Sequence, residues 1–184
     1  MMETLPALVV MGVAGCGKSS VGEAISRAIQ GTMIEGDSYH PPENIKKMTE
    51  GHPLNDDDRA GWLARLATVL ADAVASGQLP VLACSALKKS YREVLRSETP
   101  NLGFVFLKLS REVAGDRVSH RPGHFMPATL IDSQFATLES PEGETNVFTI
   151  DATLPIAEIA RQAVAWWRET SATGGTLPLS AAKA

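Results

Sequence analysis

Apolar residues along this chain fall into short unbroken runs separated by longer stretches of helical periodicity. The runs are ALVVM (7–11), TMIEG (32–36), LPVLAC (79–84), GFVFLKL (103–109) and NVFTID (146–151). ALVVM and LPVLAC read as strands buried on both faces, as in a parallel sheet, and the other three runs as further short strands. The segments between them predict helices. From Lys18, the residues Val21, Ile25, Ala28 and Ile29 share one stripe, and Gly31 is placed to stop the helix. Pro41 and Pro42 can open a short helix, ENIKKMTE, closed by Gly51. Trp62, Leu63, Leu66, Val69, Leu70, Ala73 and Val74 keep helical spacing up to Gly77, with Asn55 or Asp56 as the N-cap. Ser85 and Ser110 are expected to cap two further helices, Pro127 to start one reaching Leu138, and Pro155 to open a last one ending near Trp167.

Strands and helices therefore alternate as βαβ units require. The expectation is one α/β domain over residues 1–169, with a five-stranded parallel sheet and helices on both faces. Residues 170–184, TSATGGTLPLSAAKA, are small and polar, and read as a flexible tail.

Composition narrows the function classes. A length of 184 residues suits a single domain, and 44% hydrophobic content supports a real core. Lys and Arg number 17 against 21 Asp and Glu, a net charge of -4 with no basic run, so nucleic acid is not the expected partner. Two cysteines, Cys16 and Cys84, are too few for a disulfide framework or a protein-only zinc site. The opening MMETLPALVVMG has neither a basic n-region nor an apolar run long enough to span a bilayer, so a cytoplasmic protein without membrane partners is expected.

Chemistry enters after the first strand. GVAGCGKS, Gly12 to Ser19, fits the G-x-x-x-x-G-K-[ST] pattern between a predicted strand and a predicted helix. Such a loop turns its backbone N–H groups onto phosphate oxygens at the positive end of the helix. ATP is the expected ligand, held by Gly12, Val13, Ala14, Gly15, Cys16, Gly17, Lys18, Ser19 and Ser20. Lys18 would reach the β and γ phosphates, and the Ser19 hydroxyl would bind Mg²⁺ through the nucleotide, with Glu35 as a second candidate metal ligand. A thiol at Cys16 in that loop predicts inactivation by thiol reagents. The third strand ends in Cys84 and Ser85, without the aspartate a GTPase or motor carries there. A small chain with these features suits a nucleoside-monophosphate-kinase-like fold that phosphorylates a metabolite. In doubly wound sheets the acceptor lies beyond the carboxyl ends of the strands.

The segments at those ends are GDSYHPPENIKKM (36–48), GHPLNDDDRAGWL (51–63), CSALKKSYREVLR (84–96), DRVSHRPGHF (116–125) and SQFATLESP (133–141). In this order behind a phosphate loop, they closely resemble the gluconate kinase (gluconokinase) family of small P-loop kinases, over residues 7 to 168. The most specific blocks are GDxxHPxxNxxKM, GxPLxDxDR and CSALKKxYR. The resemblance implies transfer of the ATP γ-phosphate to the 6-hydroxyl of D-gluconate, with Mg²⁺, in a homodimer. Cys16 and Gly61 depart from it, because the family commonly has Ser and Pro there.

Acceptor chemistry can be assigned residue by residue. Asp37, after the second strand, is placed to take the acceptor hydroxyl's proton, and His40 to bond a hydroxyl. Arg59 offers a two-pronged fork for a carboxylate, with Asp56, Asp57 and Asp58 holding its guanidinium and the sugar hydroxyls. Lys88, Lys89 and Arg92 are cations at a helix start, where the dipole gives them nothing, so Lys88 and Arg92 are candidate substrate ligands. Residues 111–126 are the expected lid, hinged at Pro122-Gly123, with Arg121 closing on the γ-phosphate, Arg117 serving ATP and His124 facing the substrate. Two other readings are a shikimate-like small-metabolite kinase on the same fold and a P-loop regulator without turnover.

Overall fold

A computed structural model describes residues 4–120 and 128–173. Five parallel strands form one sheet: β1 (Leu8–Met11), β2 (Thr32–Glu35), β3 (Pro80–Ala83), β4 (Gly103–Lys108) and β5 (Val147–Asp151). Their order is β2-β3-β1-β4-β5, which puts the strand before the phosphate loop in the centre. All four residues of β1 are fully buried, as an unbroken apolar run between layers must be. Val9 lies opposite Leu82 on one side and Phe104 on the other.

The described residues form seven α-helices: α1 (Lys18–Ile29), α2 (Pro42–Thr49), α3 (Asp56–Ala75), α4 (Lys89–Glu98), α5 (Arg111–Ser119), α6 (Ala128–Thr137) and α7 (Ile156–Thr173). The chain moves one way across the sheet from β1 to β2 and the other way from β2 to β3. Right-handed crossovers therefore send α1 and α3 to opposite faces. Accordingly α1 packs with α7, and α3 with α4. Among the described residues no helix is long and apolar enough to cross a membrane.

Three local expectations change. The left-handed residue closing α1 is Gln30 (φ 56°), one before Gly31. Gly31 is needed for space instead, because a Cβ there would stand 2.6 Å from the Leu79 carbonyl oxygen. Ser85 caps nothing: residues 84–88 form a loop with Ala86 left-handed at φ 46°, and α4 begins only at Lys89. Finally, α7 runs to Thr173, past Trp167 and into the start of the expected tail; Ser171 Oγ accepts a hydrogen bond from the Leu5 amide at 3.3 Å. Of the expected tail, residues 174–184 lie outside the described residues.

Candidate active site

The phosphate loop is held open by two glycines acting in different ways. A Cβ on Gly12 (φ 147°) would come within 2.7 Å of Cys16 Sγ and 2.9 Å of the Leu107 carbonyl oxygen, so bulk is forbidden. Gly17 (φ 95°) has open space where its Cβ would be, so there the requirement is the left-handed backbone. Lys18 Nζ lies 3.1 Å from the carbonyl oxygens of Gly12 and Val13, and so arches over the loop. The side chain of Gln134, on α6, accepts a hydrogen bond from the Ala14 amide at 2.7 Å and ties that helix to the loop. Cys16 is only 1% exposed, packed in the apolar core beneath the loop. The expected attack by thiol reagents is therefore corrected: the loop must open before they can reach it. Cys84, at the end of β3, is also buried, which pushes its thiol up to about 12.

Ser19 Oγ donates to Glu35 Oε2 at 2.5 Å, so the second candidate metal ligand is brought directly to the loop. One hydroxyl and one carboxylate fit a magnesium ion whose other ligands are phosphate oxygens and water. Arg117, on α5, donates to the Gly15 carbonyl at 3.2 Å and the Ala152 carbonyl at 3.0 Å, beside the loop. Arg121 and His124, with the Pro122-Gly123 hinge, lie outside the described residues; the described part of the expected lid is α5 and His120.

A cleft joins this loop to the acceptor wall. Lys18, Ser19 and Glu35 line it together with Asp37, His40 and Arg59. Asp37 sits in a 3-10 turn, Gly36–Tyr39, that follows β2 without a break. Its side chain is 76% exposed, free to meet a ligand. The turn is tight because a Cβ on Gly36 would lie 2.5 Å from the Ala83 carbonyl oxygen. Trp62 Nε1 donates to the Gly36 carbonyl at 2.8 Å, and His40 stacks on the Trp62 ring at 4.0 Å. Burial holds His40 below the ordinary histidine value, with Asp37 opposing that shift and Arg59 adding to it. Arg59 is 8% exposed; its Nη1 donates to the Tyr91 hydroxyl at 3.1 Å, and its guanidinium lies over the Tyr91 ring.

One substrate assignment is corrected. Arg92 is fully buried, and all five of its N–H groups are committed. They go to the Glu144 carboxylate and to the carbonyls of Ala86, Leu87 and Glu139. None remains for a ligand. Lys88, the other candidate cation of that helix start, pairs its ammonium with Asp56 at 2.9 Å. The acids of DDDR do not grip Arg59 directly either. Asp58 accepts from Lys47 at 2.6 Å and closes a capping box with Asn55, while Asp56 takes the Tyr91 hydroxyl hydrogen.

The sequence reading missed several cleft residues: Met48, Pro53 and Leu54 before α3, Trp62 and Ser85, and Leu130, Ser133 and Gln134 on α6. Helical spacing assigns Trp62 only to the core. Its one signal was an indole N–H that must find an acceptor when buried.

A parallel sheet in this order, a phosphate loop at its central strand and a carboxylate-bearing acceptor wall define a small-molecule P-loop kinase. Residues 14–162 match the family described as Shikimate kinase. A gluconokinase of Gluconobacter oxydans is 46% identical over 143 residues, covering 78% of this chain and 80% of that protein. The thermoresistant gluconokinase of Escherichia coli is 38% identical, covering 85% of this chain and 90% of that protein. A solved gluconokinase structure from Sinorhizobium meliloti superposes with a TM-score of 0.84 at 50% identity, covering 92% of this chain and 96% of that one. The chain belongs to the gluconokinase family.

Proposed function

We propose that the protein transfers the γ-phosphate of ATP to the 6-hydroxyl of D-gluconate, giving 6-phospho-D-gluconate and ADP. The observation that carries this reading is one cleft lined both by Lys18 and Ser19 of the phosphate loop and helix and by Asp37, His40 and Arg59. Phosphoryl transfer asks a protein mainly to position two reactants and neutralise developing charge. The loop amides from Gly12 to Ser20 and the Lys18 ammonium hold the phosphates. Asp37 accepts the proton leaving the attacked hydroxyl. Arg59 meets the gluconate carboxylate with the guanidinium edge that Tyr91 leaves open. Arg117, already at the loop, is placed to serve ATP. Ser19 and Glu35 would hold Mg²⁺, which neutralises phosphate charge when bound. The family resemblance further supports a homodimer working in the cytoplasm.

The match to the Shikimate kinase family favours shikimate as the competing acceptor. A coupled ADP-release assay over gluconate, other six-carbon sugar acids and shikimate separates the two. Gluconate is expected to lead in kcat/KM by roughly a hundredfold, about 2.7 kcal/mol of discrimination. Equal or faster shikimate turnover would overturn the assignment, and no turnover with any acceptor would favour a regulator.

A further inference from the structure

Asn44, on α2, is 3% exposed, and its side-chain amide faces two groups at once. Nδ2 donates to the Asp58 carbonyl oxygen at 2.8 Å and lies 3.2 Å from His40 Nδ1. An atom bonded to a carbonyl oxygen must be a donor, which fixes this one as the amide nitrogen. Toward His40 it is therefore a donor again, and Nδ1 must present its lone pair. The ring proton is then on Nε2.

The ring has little freedom to escape this arrangement. It stacks on Trp62 with planes 19° apart, and the Trp62 indole is itself anchored to Gly36. Nε2 stands 3.8 Å from Asp37 Oδ1. That is too far for a direct hydrogen bond, but one oxygen at ordinary hydrogen-bond distance from both atoms fits beside the gap. Such an oxygen would accept from Nε2–H and donate to the carboxylate, as a hydroxyl does and a carbonyl or ether oxygen does not. A neutral ring is consistent with burial holding His40 below its ordinary value.

The geometry points to Asn44 as a positioning residue that locks His40 in the Nε2–H tautomer, so that His40 and Asp37 read a single acceptor hydroxyl as donor and acceptor. This rests on the cleft being the sugar-acid site. It assigns His40 a fixed donor role and leaves proton acceptance to Asp37.

Nitrogen-15 spectra of the whole protein test it, with the His40 ring signals assigned by their loss in His40→Gln. The wild type should show a protonated, pyrrole-type Nε2 and a pyridine-type Nδ1, and the Nε2 signal should shift when gluconate is added. Asn44→Asp replaces the donor by an acceptor. At about pH 8.5, well above the ordinary histidine pKa, its ring proton should move to Nδ1. KM for gluconate should then rise roughly tenfold while KM for ATP changes by less than about twofold. An Nδ1–H ring or averaging tautomers in the wild type would overturn the proposal, as would a switched tautomer with unchanged gluconate KM. Should Asn44→Asp fail to fold, the wild-type tautomer and its response to gluconate decide the matter. Absence of turnover with every sugar acid would sink the substrate assignment, while the tautomer would still be read from the spectrum.

Discussion

Replacing Arg92 by Met tests whether the buried arginine of α4 is structural. Methionine fills similar space but offers no donor. The Ala86 and Glu139 carbonyls lose their partner, while Leu87 keeps the hydrogen bond from the Glu139 amide at 2.8 Å. Glu144, whose side chain is 13% exposed, keeps Arg96 at 2.8 Å. Burial alone would raise Glu144, yet the hydrogen bonds from Arg92 and Arg96 leave it below the ordinary glutamate value. Removing one partner of such a pair costs about 3 to 5 kcal/mol, against a total stability of about 5 to 15 kcal/mol. For a chain of 184 residues that corresponds to a Tm lower by roughly 6 to 20 °C. Urea unfolding should show a reduced midpoint at unchanged slope. Glu144→Gln should also destabilise, and the double variant should lose less than the two single losses added, since it leaves no unpaired charge. Residues 84–88 carry Ser85 to the cleft, so loosening them should harm turnover without favouring either substrate. A loss below about 1 kcal/mol, or a stable variant with a selective gluconate KM defect, would refute the structural role.

Asp37→Asn keeps the shape of the 3-10 turn and removes the proton acceptor, so kcat should fall by roughly 10² to 10⁴ in steady-state assays with ATP binding little changed. Arg59→Lys keeps charge but not the planar fork; a loss of about 1.5 to 3 kcal/mol should appear as a gluconate KM raised roughly 10- to 150-fold with ATP KM unmoved. Because burial lowers the His40 pKa, the folded chain binds that proton more weakly than the unfolded one. Stability should be full above the ordinary value of 6.5 and decline as pH falls below it, and a Tm series from about pH 8 to 5.5 should lose that slope in His40→Gln.

How much could be read in advance depended on how local each interaction is. The strands, the phosphate loop and the α3 cap were legible because their causes lie within a few residues of chain: an apolar run, two glycines, an Asn55–Asp58 box. Arg59 and Arg92 looked alike for the same reason, as cations near the starts of helices. What separates them is Glu144, which is 52 residues from Arg92 and meets it only in the folded chain. No periodicity carries that information. The Trp62–His40 stack and the Gln134 tie to Ala14 are likewise contacts between elements, so they were invisible beforehand.

The run NDDDR shows how a locally costly sequence is resolved by helical geometry. Successive residues of a helix turn by about 100°, so three adjacent aspartates fan out instead of facing one another. Asp58 turns back to cap Asn55 and pair with Lys47, Asp57 stays in solvent, and Asp56 turns toward Lys88 and Tyr91. Hydrogen bonds to those partners lower both Asp56 and Asp58, Tyr91 acting first on one and Lys47 on the other, so repulsion within the run is outweighed. Arg59 then takes the next direction, inward to the cleft. Its one side-chain hydrogen bond among the described residues is to Tyr91, whose own hydrogen goes to Asp56. Asp56 thus acts on Arg59 through a phenol, which positions the guanidinium without a direct ion pair. That is the arrangement a carboxylate receptor needs, because a guanidinium already paired with aspartate would have little charge left to offer.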